Sequence, residues 1–116
     1  VDDAPDNREL ISLFLKQSGA HVECAENGLE GIRKATNRCF DVILMDIQMP
    51  ILDGIDTTKR LRAANYDRPI LALTAHAMKS ERDRYLRSGF NDHLSKPIDP
   101  QSLIDAVARF GQPMVH

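Results

Sequence analysis

Asp46 ends the apolar part of the stretch FDVILMDIQMP, residues 40–50. Residues 40–45 are apolar apart from Asp41, rich in strand formers and too few for a buried helix, so they read as a fully buried strand. A carboxylate placed straight after such a run falls at the carboxyl end of a central strand, where open α/β sheets put their ligand crevice. Pro50 blocks an immediate helix, so Asp46 is presented on a strand end followed by an irregular loop. A strand-terminating Asp in a turn is common, so its companions decide its meaning.

Those companions stand at equivalent places. Asp2 and Asp3 follow Val1, Thr74 closes the apolar run Ile70-Leu71-Ala72-Leu73, and Lys96-Pro97 closes His93-Leu94-Ser95. In a parallel sheet these carboxylates, the hydroxyl and the ammonium converge on one crevice. Crowded carboxylates repel by several kcal/mol at a dielectric of about 20 and need a counter-charge. Oxygen-only ligation with room for water suits Mg²⁺, and the backbone carbonyl of Gln48 is within reach as a neutral ligand. No Cys or His cluster has the spacing of a zinc site. Thr74 and Lys96 are left to hold an anion, and phosphate fits both. The chemistry that follows makes Asp46 a nucleophile that takes a phosphoryl group as an acyl phosphate, with the cation neutralising the transferring charge.

The elements that must position these groups alternate along the chain. A helix capped by Asp6 or Asn7 runs to about residue 18, with Leu10, Ile11, Phe14 and Leu15 as its apolar face and Gly19 ending it. A strand over residues 21–25, a turn at Glu26-Asn27-Gly28 and a helix over residues 29–38 with Ile32 and Ala35 inward precede the Asp46 strand. Asp53-Gly54 marks a turn into a helix over residues 55–64, with Ile55, Leu61 and Thr58 facing in. The strand ending at Thr74 leads to a charged helix over residues 79–87, whose core face is limited to Met78, Tyr85 and Leu86; it is expected to be loosely held and closed by Gly89. Residues 93–95 form the last strand, and Pro100 opens a helix with Leu103, Ile104, Val107 and Phe110 inward. Strands alternating with helices over short loops predict a flavodoxin-like doubly wound parallel sheet.

DD near the start, MDIQMPILDG, ALTA and LSKPID, in that order and nearly spanning the chain, resemble the receiver domain of two-component response regulators, with variants closest to receivers of hybrid sensor histidine kinases. The resemblance implies a (βα)5 fold of strand order 2-1-3-4-5 over residues 1–110, with 111–116 as a tail. It implies Asp46 as phosphoacceptor, with Mg²⁺ held directly by Asp3, largely through water by Asp2, and by Asp46 and the Gln48 carbonyl. It further implies Thr74 and the Ala75 backbone N–H on the phosphoryl group, Lys96 paired with it, and a cis peptide before Pro97. Gln48 and His76 would tune the lifetime of the phosphorylated state, against a default of solvated loop residues. The donor would be a phosphohistidine on a histidine kinase or histidine phosphotransfer domain, and the output surface the fourth helix, fifth strand and fifth helix. The domain would assist its own phosphorylation and dephosphorylation, inside a parent that could be a hybrid kinase, on the cytoplasmic side.

The chain departs from the family in two places. Only Val1 remains of an apolar first strand, so the chain is expected to be an excerpt of a longer sequence. His93 stands where the family usually has Tyr or Phe; it is read equally as a switch residue that packs inward and as a surface histidine on an edge strand.

Other classes fare less well. A phosphohydrolase of the haloacid-dehalogenase-like class has a second acid two residues after its nucleophile, and this chain has Gln48 there. A receiver-like interaction module that no longer takes phosphate is the remaining alternative, opposed by intact Asp3, Asp46, Thr74 and Lys96. A flavin carrier would need a phosphate loop after the first strand, and none is written there. With 116 residues and a net charge of −2, the chain is one domain without general attraction for nucleic acid or anionic lipid, and no apolar run reaches membrane-spanning length. Cys24 and Cys39 read as free thiols, and His21 and His116 as bystanders.

Overall fold

The computed structural model describes residues 1, 5–17, 25–37, 42–47, 49, 52–75, 79–96 and 98–110, with backbone only at residues 5, 7 and 79. The order along the chain is α1 (Pro5–Gln17), α2 (Gly28–Asn37), β1 (Ile43–Asp46), α3 (Gly54–Ala63), β2 (Ile70–Thr74), α4 (Lys79–Ser88), β3 (Asp92–Ser95) and α5 (Pro100–Phe110). The described strands form a parallel sheet of order β1-β2-β3. The backbone of Val1 continues it on the far side of β1: its amino group donates to the Leu44 carbonyl, and its own carbonyl accepts from the Asp46 N–H at 2.9 Å. Val1 therefore sits where the last residue of a strand beside β1 belongs, as the order 2-1-3-4-5 requires. The expected strand over residues 21–25 lies outside the described residues except for Ala25, which is buried.

Both faces of the sheet are covered, because successive strand residues point to opposite sides. On one face Ile43, Met45, Ile70 and Ala72 meet Ala35 of α2, Ile55 and Leu61 of α3, and Tyr85 of α4. On the other, Leu73 meets Ile11 and Leu15 of α1 and Leu103 of α5, with Leu44 and Leu94 alongside. β2, the middle strand, is buried at all five positions, which is why it reads as an unbroken apolar run.

Local signals set the boundaries. Asp53 caps α3 by accepting the Asp56 N–H at 2.8 Å, and Asn27 caps α2 by accepting the Glu30 N–H at 2.9 Å. α3 ends on Asn65 at φ 67°, with the Tyr66 N–H bonded to the Leu61 carbonyl and the Asn65 N–H to the Arg62 carbonyl, both at 3.0 Å. α4 ends the same way on Gly89 at φ 112°, with Phe90 N–H on the Tyr85 carbonyl and Gly89 N–H on the Leu86 carbonyl. At the amino ends of β2 and β3, Arg62 donates to the carbonyls of Gly89, Tyr66 and Arg68 and to Asn91 Oδ1, which also accepts the Ile70 N–H. Burial lowers the Arg62 pKa, and the guanidinium stays charged.

Three expectations need correction. α1 starts at Pro5, so Asp6 and Asn7 lie in its first turn instead of capping it; proline fits the first helical position because no N–H is needed there. Leu10 is 44% exposed and Leu86 43% exposed, so neither belongs to the core face assigned to it. The strand ending at Asp46 is shorter than read, starting at Ile43 after a half-buried Val42.

Leu103 is fully buried between α5 and β2, whereas Leu13 on α1 is 51% exposed. Leu103→Ala is expected to cost about 2–5 kcal/mol and Leu13→Ala less than about 0.5, read from urea unfolding midpoints. Asp99 caps α5 through the Ser102 N–H and hydroxyl, each at 2.9 Å, and the backbone bond followed by the hydroxyl bond lowers its pKa. A depressed carboxylate stabilises above its unfolded pKa, about 3.9, and loses that contribution as pH falls through the folded value. The Tm gap between the native chain and Asp99→Ala is thus expected at pH 6 and to shrink below about pH 4.

Candidate functional site

The parallel sheet brings Asp46, Thr74 and Lys96 to one edge. Asp46 is the last residue of β1 and Thr74 the last of β2, and Lys96 follows β3 with its backbone N–H on the Thr74 carbonyl at 2.8 Å. Lys96 Nζ lies 2.9 Å from Asp46 Oδ1. Only 5% of the Asp46 side chain is exposed, against 26% for Lys96, so the carboxylate is buried and its ammonium partner reaches it from the rim. A carboxylate so placed is costly without a counter-charge, which Lys96 supplies.

The loop after Asp46 is held close by backbone contacts. The Ile47 N–H extends the ladder to the Leu73 carbonyl at 3.1 Å, and the Ile47 carbonyl accepts the Gly54 N–H at 2.9 Å. A Cβ at Gly54 would stand 2.2 Å from the Asp46 carbonyl oxygen, so only glycine lets α3 begin against the residue that bears the carboxylate. In the sequence this Asp-Gly pair signals no more than a turn with close packing.

Thr74 is 3% exposed, and its Oγ1 lies 2.9 Å from the hydroxyl of Tyr85, also 3% exposed. The sequence assigns Tyr85 only a core role; its hydroxyl gives no periodic signal, because a tyrosine on an apolar face looks like any other core aromatic. Ala75 follows Thr74 and is exposed. His93 is in register with Ala72, on the face that carries Tyr85. Its side chain is 18% exposed, so it is half-buried on the last described strand. Asp92 Oδ1 accepts the His93 backbone N–H at 2.8 Å; His93 Nδ1 lies 3.5 Å from the same oxygen and makes no hydrogen bond among the described residues.

Asp2, Asp3, Gln48, His76 and Pro97, all named from the sequence, lie outside the described residues. Among the described residues no cluster of metal-ligating side chains forms. The chain runs directly from Val1, anchored against Leu44 and Asp46, into the acid pair. Carboxylates and a carbonyl are the donor chemistry that a hard divalent cation takes, so the residues fit Mg²⁺.

Residues 1–108 match the family described as the response regulator receiver domain. The chain belongs to that family. A receiver of this kind is a module of two-component systems, and several of its relatives are sensor histidine kinases. The chain is 40% identical over 115 residues to the sensor protein GacS of Pseudomonas syringae pv. syringae, a match that covers 95% of the chain and 13% of GacS, so the chain spans about one eighth of that relative. It is 35% identical, with a TM-score of 0.87, to the receiver domain of the sensor histidine kinase PA1611 of Pseudomonas aeruginosa PAO1, solved with a magnesium ion in its active site cleft; 96% of this chain and 93% of that one are covered. It is also 27% identical, at a TM-score of 0.90 over 95% of this chain and 84% of the other, to a chain in the complex of the Saccharomyces cerevisiae histidine phosphotransfer protein Ypd1 with the receiver domain of Ssk1. The flavodoxin-like doubly wound architecture of the receiver agrees with the sequence reading.

Breaking the Asp46–Lys96 pair from the lysine side should leave the carboxylate unpaired. Lys96→Met is expected to cost about 2 kcal/mol, between the ~0–1 of an exposed pair and the ~3–5 of a buried one. Adding Asp46→Asn should recover most of that loss in the double variant, as measured by urea unfolding of all four proteins.

Proposed function

We propose that this receiver takes a phosphoryl group from a phosphohistidine onto Asp46. The observation that carries the reading is the buried Asp46 carboxylate with Lys96 Nζ on it at 2.9 Å, at the edge where β1, β2 and β3 all end. In the transfer, the P–N bond of the donor breaks as a P–O bond to an Asp46 carboxylate oxygen forms, and the departing imidazole takes a proton from solvent. An ionised carboxylate has no proton to lose, so no general base is required at Asp46. Lys96 would follow the added negative charge from the carboxylate to the phosphoryl oxygens, and Thr74 would donate its hydroxyl hydrogen to one of them, helped by the Ala75 N–H.

Mg²⁺ would be held by Asp2, Asp3, Asp46 and the Gln48 carbonyl, and supplies neutralisation of the phosphoryl charge when bound. Gln48 and His76 would set the lifetime of the acyl phosphate, and a cis bond before Pro97 would aim Lys96. His93, inward-facing on β3, would turn further in as Thr74 shifts. The donor would be a histidine kinase or histidine phosphotransfer domain, in keeping with the sensor kinase and Ypd1-bound relatives, and the receiver unit would run over residues 1–110 of a larger kinase acting in the cytoplasm. The readout would be the surface of α4, β3 and α5. No helix among the described residues is long and apolar enough to cross a membrane.

Intact mass after incubation with a small acyl phosphate tests the reading. One added phosphoryl group is expected with Mg²⁺, far less with a chelator, and none on Asp46→Asn. A folded protein that gains no mass would favour a phosphate-independent interaction module instead.

A further inference from the structure

We propose that the Tyr85 hydroxyl is a positioning group for Thr74, and that through it the state of Asp46 is passed to α4; the proposal rests on the reading of Asp46 as phosphoacceptor. The two hydroxyl oxygens are 2.9 Å apart in a buried setting, and either could be the donor. A threonine hydroxyl has one hydrogen. If Thr74 gives it to a phosphoryl oxygen, the bond to Tyr85 survives only with Tyr85 as donor. A phenol is the more acidic of the two hydroxyls, so that direction is chemically favoured. The result is a two-bond chain, Tyr85 O–H to Thr74 Oγ1 and Thr74 O–H to the phosphoryl group, in which Tyr85 fixes where the Thr74 hydrogen points.

Tyr85 is also poorly able to follow Thr74 by swinging alone. Its carbonyl accepts the Phe90 N–H that closes the end of α4, and its ring meets the Phe90 ring edge-on, with centroids 6.0 Å apart and planes at 72°. With both ends of the residue fixed, a shift of Thr74 toward Asp46 draws on the helix and not on one rotamer. The aromatic group bonded to the site threonine thus comes from α4 itself.

The test compares amide spectra of residues 79–88 before and after phosphorylation in the native chain, Tyr85→Phe, Thr74→Val and Thr74→Ser. The response is read per phosphorylated molecule, from the intact mass of the same samples. Tyr85→Phe keeps the ring and its Phe90 contact. It is expected to lose more than half of the α4 response, as is Thr74→Val, whereas Thr74→Ser, which keeps the hydroxyl, retains it. A Tyr85→Phe response equal to that of the native chain, even with lowered thermal stability, would reduce Tyr85 to packing and overturn the proposal. A native chain that gains no phosphoryl group would overturn the phosphoacceptor reading, and this proposal with it.

Discussion

Keeping a carboxylate charged in a place nearly closed to water is the constraint on which the site depends. Asp46 is 3% exposed at the end of β1, and an ionised group there is tolerated only with a cation against it. Lys96 meets that need from two strands away, which works because the sheet is parallel and its strands all end at one edge. The backbone bond from Lys96 to the Thr74 carbonyl fixes where the lysine side chain starts. Gly54 answers a second demand of the same residue, since any side chain there would collide with the Asp46 carbonyl. The charge, the strand order and the glycine are therefore one solution to one problem.

The two edges of the sheet are built differently. At the amino edge Arg62 ties four acceptors from two loops, those that lead into β2 and β3, so the starts of these strands are bound together. Those bonds join carbonyls and an amide side chain to a single planar donor and involve none of the site residues. At the carboxyl edge the groups that meet are an ion pair and a pair of hydroxyls. On the proposed reading, a firmly bonded base under a charged rim would let one local event have a directional effect.

Much of this is legible in the sequence, and the physical reason is periodicity. Buried parallel strands are written as unbroken apolar runs, so Ile70 to Leu73 and the run before Asp46 announce their ends, and with them Asp46 and Thr74. Lys96 follows from the same rule, although β3 is short and only half-buried. Helix faces are harder. Leu10 and Leu86 fit apolar spacing yet face outward, because spacing marks a stripe without saying how wide the covered part is. The bond between Tyr85 and Thr74 is invisible in the chain, since it joins residues of different elements through atoms that leave no pattern there. The start of α1 is ambiguous for a related reason: Asp6 is a good cap and a good first-turn residue alike, and only Pro5 distinguishes the two.

The attachment of α4 explains how a small movement at the rim could matter. Among its described side chains only Tyr85 and Ser88 are buried, and the Ser88 hydroxyl turns back to the Arg84 carbonyl of the same helix. Tyr85 is thus the main anchor of α4 in the core, and its outer end is the hydroxyl on Thr74. A helix held by many buried side chains would resist displacement of any one of them, because a close-packed interior has no spare volume into which the neighbours can move. One whose described side chains place little besides Tyr85 in the core has less to oppose the shift, and weakly packed elements belong to the low-stability end of a fold. On the proposal that Tyr85 couples Thr74 to α4, the charged composition of the helix would be the property that lets it respond to the chemistry at the strand ends.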